Sequence, residues 1–264
     1  MTGPIFDTHA HYSSRSFDAD RDEVLSALPG AGVVGVVDCA THSGDAARVL
    51  ELSHRYPFVW AALGIHPQSL IEEDAATLCR YGGDWRRELE EMRPLFEDPR
   101  VVAVGECGLD HHWPVPAQPQ LELFEAQLQL ARELDKPILV HDREAHAETY
   151  ALLEKYRPRG IVHCYSGSAE DARRLTAQGL YLGFGGSCTY KNARRALESL
   201  RAIPLEQVVL ETDCPYLSPQ PVRGKRNHSG NIQYVGELIA QTLGLAPETV
   251  FETTAQNARR LFGL

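Results

Sequence analysis

Short runs of apolar and β-branched residues alternate with amphipathic segments along the whole chain. That alternation restricts the fold more than any other feature of the 264 residues. Strands are predicted at 5–11, 33–40, 59–66, 101–105, 138–142, 160–164, 180–184 and 208–212. Most are nearly continuous in apolar residues, as parallel strands covered on both faces must be. The clearest helical pattern spans 119–134, where Leu121, Phe124, Leu128 and Ala131 recur on one stripe. Pro119 suits the first turn, and Pro137 stops the helix before the next strand. Eight strand–helix units in about 250 residues have the size of a (β/α)8 TIM barrel. An open doubly wound sheet would more often carry a glycine-rich loop after its first strand, where this chain has HAHYSS. No linker, low-complexity segment or short repeat divides the chain, so a single domain over 1–264 is expected. The long connections 66–99 and 215–229 are candidates for covering a site.

Hydrophobic residues at 43% and charged residues at 23% are ordinary for a globular protein. The net charge of −10 disfavours a passive nucleic-acid coat, which would need a basic face. It leaves room for an enzyme that grips phosphates through metal ions and a few local cations. The start MTGPIFDTHAH lacks the basic and apolar regions of a secretory signal. No apolar stretch reaches the roughly 18 residues of a membrane helix. Cys39, Cys79, Cys107, Cys164, Cys188 and Cys214 are widely spaced with no C-x-x-C pair, so reduced thiols in a cytoplasmic protein are expected.

The first strand ends in DTHAH, with His9 and His11 two residues apart. In an extended chain such side chains share a face, so two imidazoles converge on one point, a geometry suited to a metal. Glu106, His141, His163 and Asp213 sit at the ends of later predicted strands, where the catalytic groups of a barrel gather. Any one of them alone reads as a hydrogen-bonded polar residue at a sheet rim. Four histidines and two carboxylates together exceed what one tetrahedral ion requires and suit two ions sharing a carboxylate.

The strings DTHAH (7–11), GIHP (64–67), GECGLD (105–110), ILVHDREA (138–145), VHCYSG (162–167), LETDCPYLSP (210–219), RGKRN (223–227) and TAQNARRLF (254–262) run in order along essentially the whole chain. As a set the sequence resembles the TatD family of metal-dependent deoxyribonucleases, within the amidohydrolase-like barrels. The resemblance implies that His9, His11 and Asp213 hold one divalent ion, His141 and His163 the other, and Glu106 bridges. It implies a DNA substrate, with single strands trimmed from a 3′ end. The chain departs from the family pattern at Gln68, where a second histidine often follows GIHP, and at His228, where an acidic residue usually follows RGKRN.

Two such ions would lower the pKa of a bound water and polarise a phosphoryl oxygen. Asp213 is the expected general base, able to touch a metal and the attacking water together; the alternative is that it only ligates. Glu106 is the second catalytic candidate. The histidine-rich set favours zinc, nickel or manganese, whereas the family is described as magnesium- or manganese-supported. Arg143, Arg223, Lys225 and Arg226 are the expected phosphate contacts, against the plain reading of RGKR as a solvated charge run. His66 is a further phosphate contact or a structural histidine, and Tyr165 either stacks on a base or packs in the rim. Cys107, Cys164 and Cys214 each follow a proposed ligand and are expected to point away from the mouth as small buried hydrophobes.

The leading reading is a metal-dependent nuclease acting on DNA, without an obligate protein partner or membrane, as a monomer or weak oligomer. An ester or amide hydrolase such as a D-aminoacyl-tRNA deacylase is the alternative, and a non-catalytic metal-stabilised scaffold is the third. A basic groove with exposed aromatics would favour nucleic acid, and a closed small pocket an aminoacyl end.

Overall fold

The computed structural model describes residues 3–264; Met1 and Thr2, at the start of the expected domain, lie outside the described residues. Among the described residues the strands are β1 (Ile5–Ala10), β2 (Val33–Cys39), β3 (Val59–Leu63), β4 (Val101–Asp110), β5 (Ile138–Arg143), β6 (Gly160–Val162), β7 (Tyr181–Phe184) and β8 (Val208–Leu210). The helices are α1 (Arg21–Ala27), α2 (Ser43–Arg55), α3 (Ala76–Cys79), α4 (Trp85–Met92), α5 (Ala117–Glu133), α6 (His146–Tyr156), α7 (Ala169–Ala177), α8 (Arg194–Arg201), α9 (Ile232–Leu243) and α10 (Pro247–Phe262). The strands follow one another in the sheet in chain order, β1 to β8, the order of a (β/α)8 barrel. All eight predicted strands are present. Two differences bear on the site. β4 continues through Glu106 to Asp110, with a register irregularity against β5 between Val104 and Cys107, so Glu106 lies within the strand and not beyond it. The connection 66–99 is no bare cover, because it contains α3 and α4.

The chain forms two compact units, one made of the residues up to Asp38 with His163–Leu264, the other of Cys39–Val162. In the first, β1 pairs in parallel with β2, and β7 with β8. β1 also meets the segment after β8 through a bridge between Ala10 and Cys214. Phe6 stacks on Phe262 of α10 with ring centroids 6.2 Å apart, and α10 packs against α9. At Gly236 of α9 that packing leaves no room for a side chain, since a Cβ there would come within 2.3 Å of the Phe251 ring.

In the second unit, β3, β4, β5 and β6 pair in parallel in that order. α5 lies along β4, burying Leu123, Phe124, Leu128, Leu130 and Ala131. Its buried face also contains Gln120 and Gln127, which the apolar stripe did not foresee, while Leu121 is only half-buried. Buried amides need partners. Gln127 takes the N–H of Ile65 on its Oε1 and donates to the Ile65 carbonyl, at 2.8 and 3.0 Å. Gln120 accepts the N–H of Asp110 at 2.8 Å and donates to the carbonyls of Asp110 and Val115, both at 3.2 Å. One helix therefore holds the loop before His66 and the end of β4 in fixed positions.

Gly236→Ala should destabilise the protein although alanine is the better helix former by ~1 kcal/mol. Overpacking against the Phe251 ring should outweigh that gain, with a net loss of ~1–2 kcal/mol in urea unfolding. An unchanged or raised midpoint would show that the α9–α10 contact has slack.

Candidate metal centre

In the first unit the site is built by the closure of β1 against the segment following β8. Asp213 donates its N–H to the His9 carbonyl, and His11 donates its N–H to the Cys214 carbonyl, both at 2.8 Å. This pairing sets Asp213 beside the two imidazoles. His9 Nε2 and His11 Nε2 are 3.2 Å apart, and Asp213 Oδ1 lies 3.3 Å from His11 Nε2 and 4.0 Å from His9 Nε2. His163 stacks on His9 with ring centroids 4.0 Å apart, and His9, His163 and Asp213 each offer a ligand atom within 4.8 Å of the others. Ligands held at about 2.1 Å from one ion stand about 3.4 Å apart, so these donors fit a cation of zinc or manganese size. Burial works to raise the pKa of Asp213, but the hydrogen bond with His11 and the charges of His163, His11 and His9 outweigh it. The carboxyl is held below its ordinary range and is ionised near neutrality.

A carboxylate that the motif reading passed over supports this group from beneath. Asp7 is fully buried; its Oδ1 accepts the N–H groups of His9 and Thr212 at 3.2 and 3.0 Å, and its Oδ2 accepts the hydroxyls of Thr212 and Ser229 at 2.6 and 2.7 Å. Burial pushes its pKa up to about 7 in spite of those four bonds. Glu211 was missed as well. It accepts the N–H of Cys164, its Oε1 lies 3.7 Å from His163 Nδ1, and its carboxylate sits where a Cβ on Gly183 would have to be. Asp7 lies within β1 and Glu211 directly after β8, so the available signal in DTHAH and LETD was an acid at the border of an apolar run.

In the second unit, Glu106 Oε1 lies 3.0 Å from His141 Nδ1 and 3.6 Å from His66 Nε2, and the three form a second convergent group. His141 Nε2 meets Asp110 Oδ2 at 3.0 Å, while Asp110 Oδ1 accepts the N–H groups of His112 and Trp113 at 2.9 and 3.1 Å. Burial opposes the charge on Asp110, but the His141 hydrogen bond and those backbone donors bring its pKa down to about 2. An ionised acceptor at Nε2 places the ring proton there and leaves the Nδ1 lone pair toward Glu106. His66 has the opposite arrangement. Its Nδ1 accepts the Gln68 N–H at 3.1 Å, so the neutral ring carries its proton on Nε2, a donor for an anion.

The expected substrate contacts fall in different places. Arg223 and Lys225 are exposed on the loop after β8, the Arg223 guanidinium 4.4 Å from the Tyr190 ring centroid. Arg226 is engaged elsewhere: it donates to both Asp20 oxygens at 2.9 and 2.6 Å and to the Ser16 carbonyl, with its guanidinium over Phe17. Arg143 is exposed, 5.8 Å from the ring centroid of exposed Trp113. Tyr165 is buried and donates its hydroxyl to the Ser168 carbonyl at 2.7 Å, which places it in the packing and not on a base. Asn227 ties the basic loop to the site, donating to the carbonyls of Thr212 and Tyr216 at 3.1 and 2.8 Å. His228 is half-buried, and burial, then the Arg226 charge, holds it below its ordinary pKa.

The thiols next to the ligands are buried or half-buried, and all six cysteines are free. Burial raises Cys107 and Cys214 well above the usual thiol range and Cys164 to about 11. In the absence of a metal these three thiols stay protonated near neutral pH. Among the described residues no helix is long and apolar enough to cross a membrane.

Parallel strands in barrel order and convergent imidazole–carboxylate groups define a hydrolase of the metal-dependent type. The family model described as TatD related DNase matches residues 6–263, and the chain belongs to that family. It is 38% identical over 265 residues to the "Uncharacterized metal-dependent hydrolase YabD" of Bacillus subtilis, with 98% of each chain covered. It is 33% identical to the "3'-5' ssDNA/RNA exonuclease TatD" of Citrobacter koseri, covering 98% of this chain and 99% of that one. The crystal structure of YJJV, a TatD homologue from Escherichia coli, matches with a TM-score of 0.87 at 29% identity over 100% of both chains.

Asp7→Asn should test the buried anchor. The amide replaces an acceptor oxygen by a donor facing N–H or O–H groups, leaving buried donors unsatisfied. A loss of ~1–3 kcal/mol in urea unfolding is expected. Stability equal to wild type would mean that the Asp7 network does not hold the first unit together.

Proposed function

We propose that the chain is a metal-dependent exonuclease that removes nucleotides from the 3′ end of single-stranded DNA, working as one domain over its whole length. The observation that carries this reading is the convergence of His9, His11 and Asp213 beside a loop bearing unpaired cations, in a chain whose relatives are named as 3′–5′ exonucleases. His9, His11 and Asp213 would hold one divalent ion and His141 and His163 the other, with Glu106 bridging, the assignment that the family motifs support. The imidazole-rich donors suit zinc, nickel or manganese better than magnesium. When bound, such ions supply a lowered water pKa and a positive field for phosphoryl oxygens.

The chain's own residues perform the remaining tasks. Asp213, ionised near neutrality, accepts the proton of the attacking water. His66 offers its Nε2–H to a phosphoryl oxygen, and Asp110 holds His141 in one tautomer so that its Nδ1 stays available as a ligand. Arg223 and Lys225 meet the phosphates of the strand, whereas Arg226, paired with Asp20, belongs to the frame of the loop. The deacylase alternative has no comparable support.

The test is one manganese- or zinc-reconstituted preparation assayed side by side on single-stranded DNA, single-stranded RNA, duplex DNA and D-aminoacyl-tRNA. Preferential shortening of single strands from the 3′ end is expected. Activity confined to aminoacyl-tRNA would overturn the nuclease reading. Asp213→Asn should nearly abolish turnover with an unchanged circular dichroism spectrum, because it keeps the shape and removes the charge and basicity. Wild-type rates in metal-replete buffer would exclude both ligand and base roles.

The double variant Arg223→Ala/Lys225→Ala should weaken single-strand binding and reduce its salt slope by roughly 0.7 for each lost phosphate contact. Metal content should not change. A fall in turnover at saturating DNA, with the same affinity and salt slope, would instead place these cations on the transition state.

A further inference from the structure

The loop after Asp213 does more than carry charge: it forms one wall of a groove of about 610 Å³ whose lining includes Tyr190, Tyr216, Ser218, Arg223 and Lys225. Its lining contains no carboxylate, and the charge of Arg226, which also lines it, is already matched by Asp20. Tyr216 has 58% of its surface exposed, the largest value among the exposed large hydrophobic residues described. An aromatic ring left open in a groove beside cations offers a face on which a base can stack.

The platform is also fixed in place. Tyr216 donates its N–H to the Asp213 carbonyl at 2.9 Å, which sets it one turn beyond the proposed base. Its own carbonyl is held by the buried amide of Asn227 at 2.8 Å. In the same lining, Tyr190 lies under the Arg223 guanidinium and donates its hydroxyl to the Ser218 carbonyl at 3.1 Å, while the Ser218 hydroxyl donates to the Lys225 carbonyl. Two cations and an exposed ring, preset by backbone bonds, match a ligand that is anionic on one side and flat and aromatic on the other.

We propose that this groove seats the nucleotide adjoining the cleaved bond, with its base stacked on Tyr216 and its phosphate between Arg223 and Lys225. The inference rests on the nuclease reading above and adds a specificity-determining residue to it. Only an unpaired base presents its face to a ring, so Tyr216 would make the enzyme select single strands. Stacking of one base on an aromatic side chain contributes about 5- to 150-fold in affinity.

The metal-reconstituted wild type, Tyr216→Ala and Tyr216→Phe are compared on oligothymidylate and on an abasic trinucleotide of tetrahydrofuran residues, a small phosphodiester with no aromatic ring to stack. Tyr216→Ala should raise KM for oligothymidylate about tenfold or more and leave hydrolysis of the small diester unchanged. Tyr216→Phe, which keeps the ring, should behave as wild type. In an Asp213→Asn background, 2-aminopurine near the 3′ end of an oligonucleotide should be quenched on binding, and Tyr216→Ala should remove the quenching. If the wild type degrades oligothymidylate and Tyr216→Ala does so with KM within twofold, the stacking role is wrong and the nuclease reading stands. An equal loss on both substrates would make Tyr216 a support of the centre and overturn the stacking role. If the wild type hydrolyses the small diester but no DNA or RNA strand, the nuclease reading itself fails, and the role of Tyr216 with it.

Discussion

The first unit depends on one short stretch of parallel pairing, in which the segment after β8 closes onto β1. Two backbone hydrogen bonds, Asp213 to His9 and His11 to Cys214, bring together residues from opposite ends of the chain. Asp7 secures the same junction from below by binding Thr212, 205 positions away, and Ser229. Because these are main-chain contacts, the spacing of His9, His11 and Asp213 follows from strand geometry and not from flexible side chains. A site built on strands keeps its donors aligned before any ligand arrives, so little ordering remains to oppose binding.

The second unit reaches the same end by a different route. β4 and β5 supply Glu106, Asp110 and His141, and α5 holds their surroundings through two buried glutamines. Glutamine on the inner face of a helix would be destabilising if its amide found no partner. Here each amide closes both a donor and an acceptor of a neighbouring backbone, which makes the position of a loop specific where apolar contact alone would allow it to slide. Asp110 extends that rigidity to the imidazole of His141 and determines which nitrogen remains free. The function of these polar residues is orientation, and their signature in the structure is complete hydrogen bonding.

Charge is arranged locally against the overall balance. A chain of net −10 repels polyanions at a distance. The loop after β8 offsets this with Arg223 and Lys225 over a groove without carboxylates, while its third cation is neutralised by Asp20. Such a surface presents positive charge only at close range, against the sign of the whole chain. The exposed ring of Tyr216 lines the same groove beside these cations.

The strand–helix alternation and the apolar runs were legible in the sequence because periodicity reports burial, and burial decides secondary structure in a sheet covered on both faces. The convergence of His9 with His11 followed from strand geometry alone. Glu106, His141, His163 and Asp213 could be picked out because each ends or interrupts an apolar run. What the sequence could not show was any relation that depends on partners distant in the chain. Asp7, Asp110 and Glu211 read as ordinary acids until Thr212, His141 and Cys164 are placed against them. Arg223 and Arg226 are indistinguishable by type, separated by only two residues and line the same groove, yet Arg226 is bound to Asp20 while Arg223 lies over the Tyr190 ring. Tyr165 and Tyr216 differ in the same way, one buried and the other exposed. Local pattern determined the elements and the candidate donors; tertiary structure alone decided which charges and rings remained available, because availability is a property of the neighbours and not of the residue.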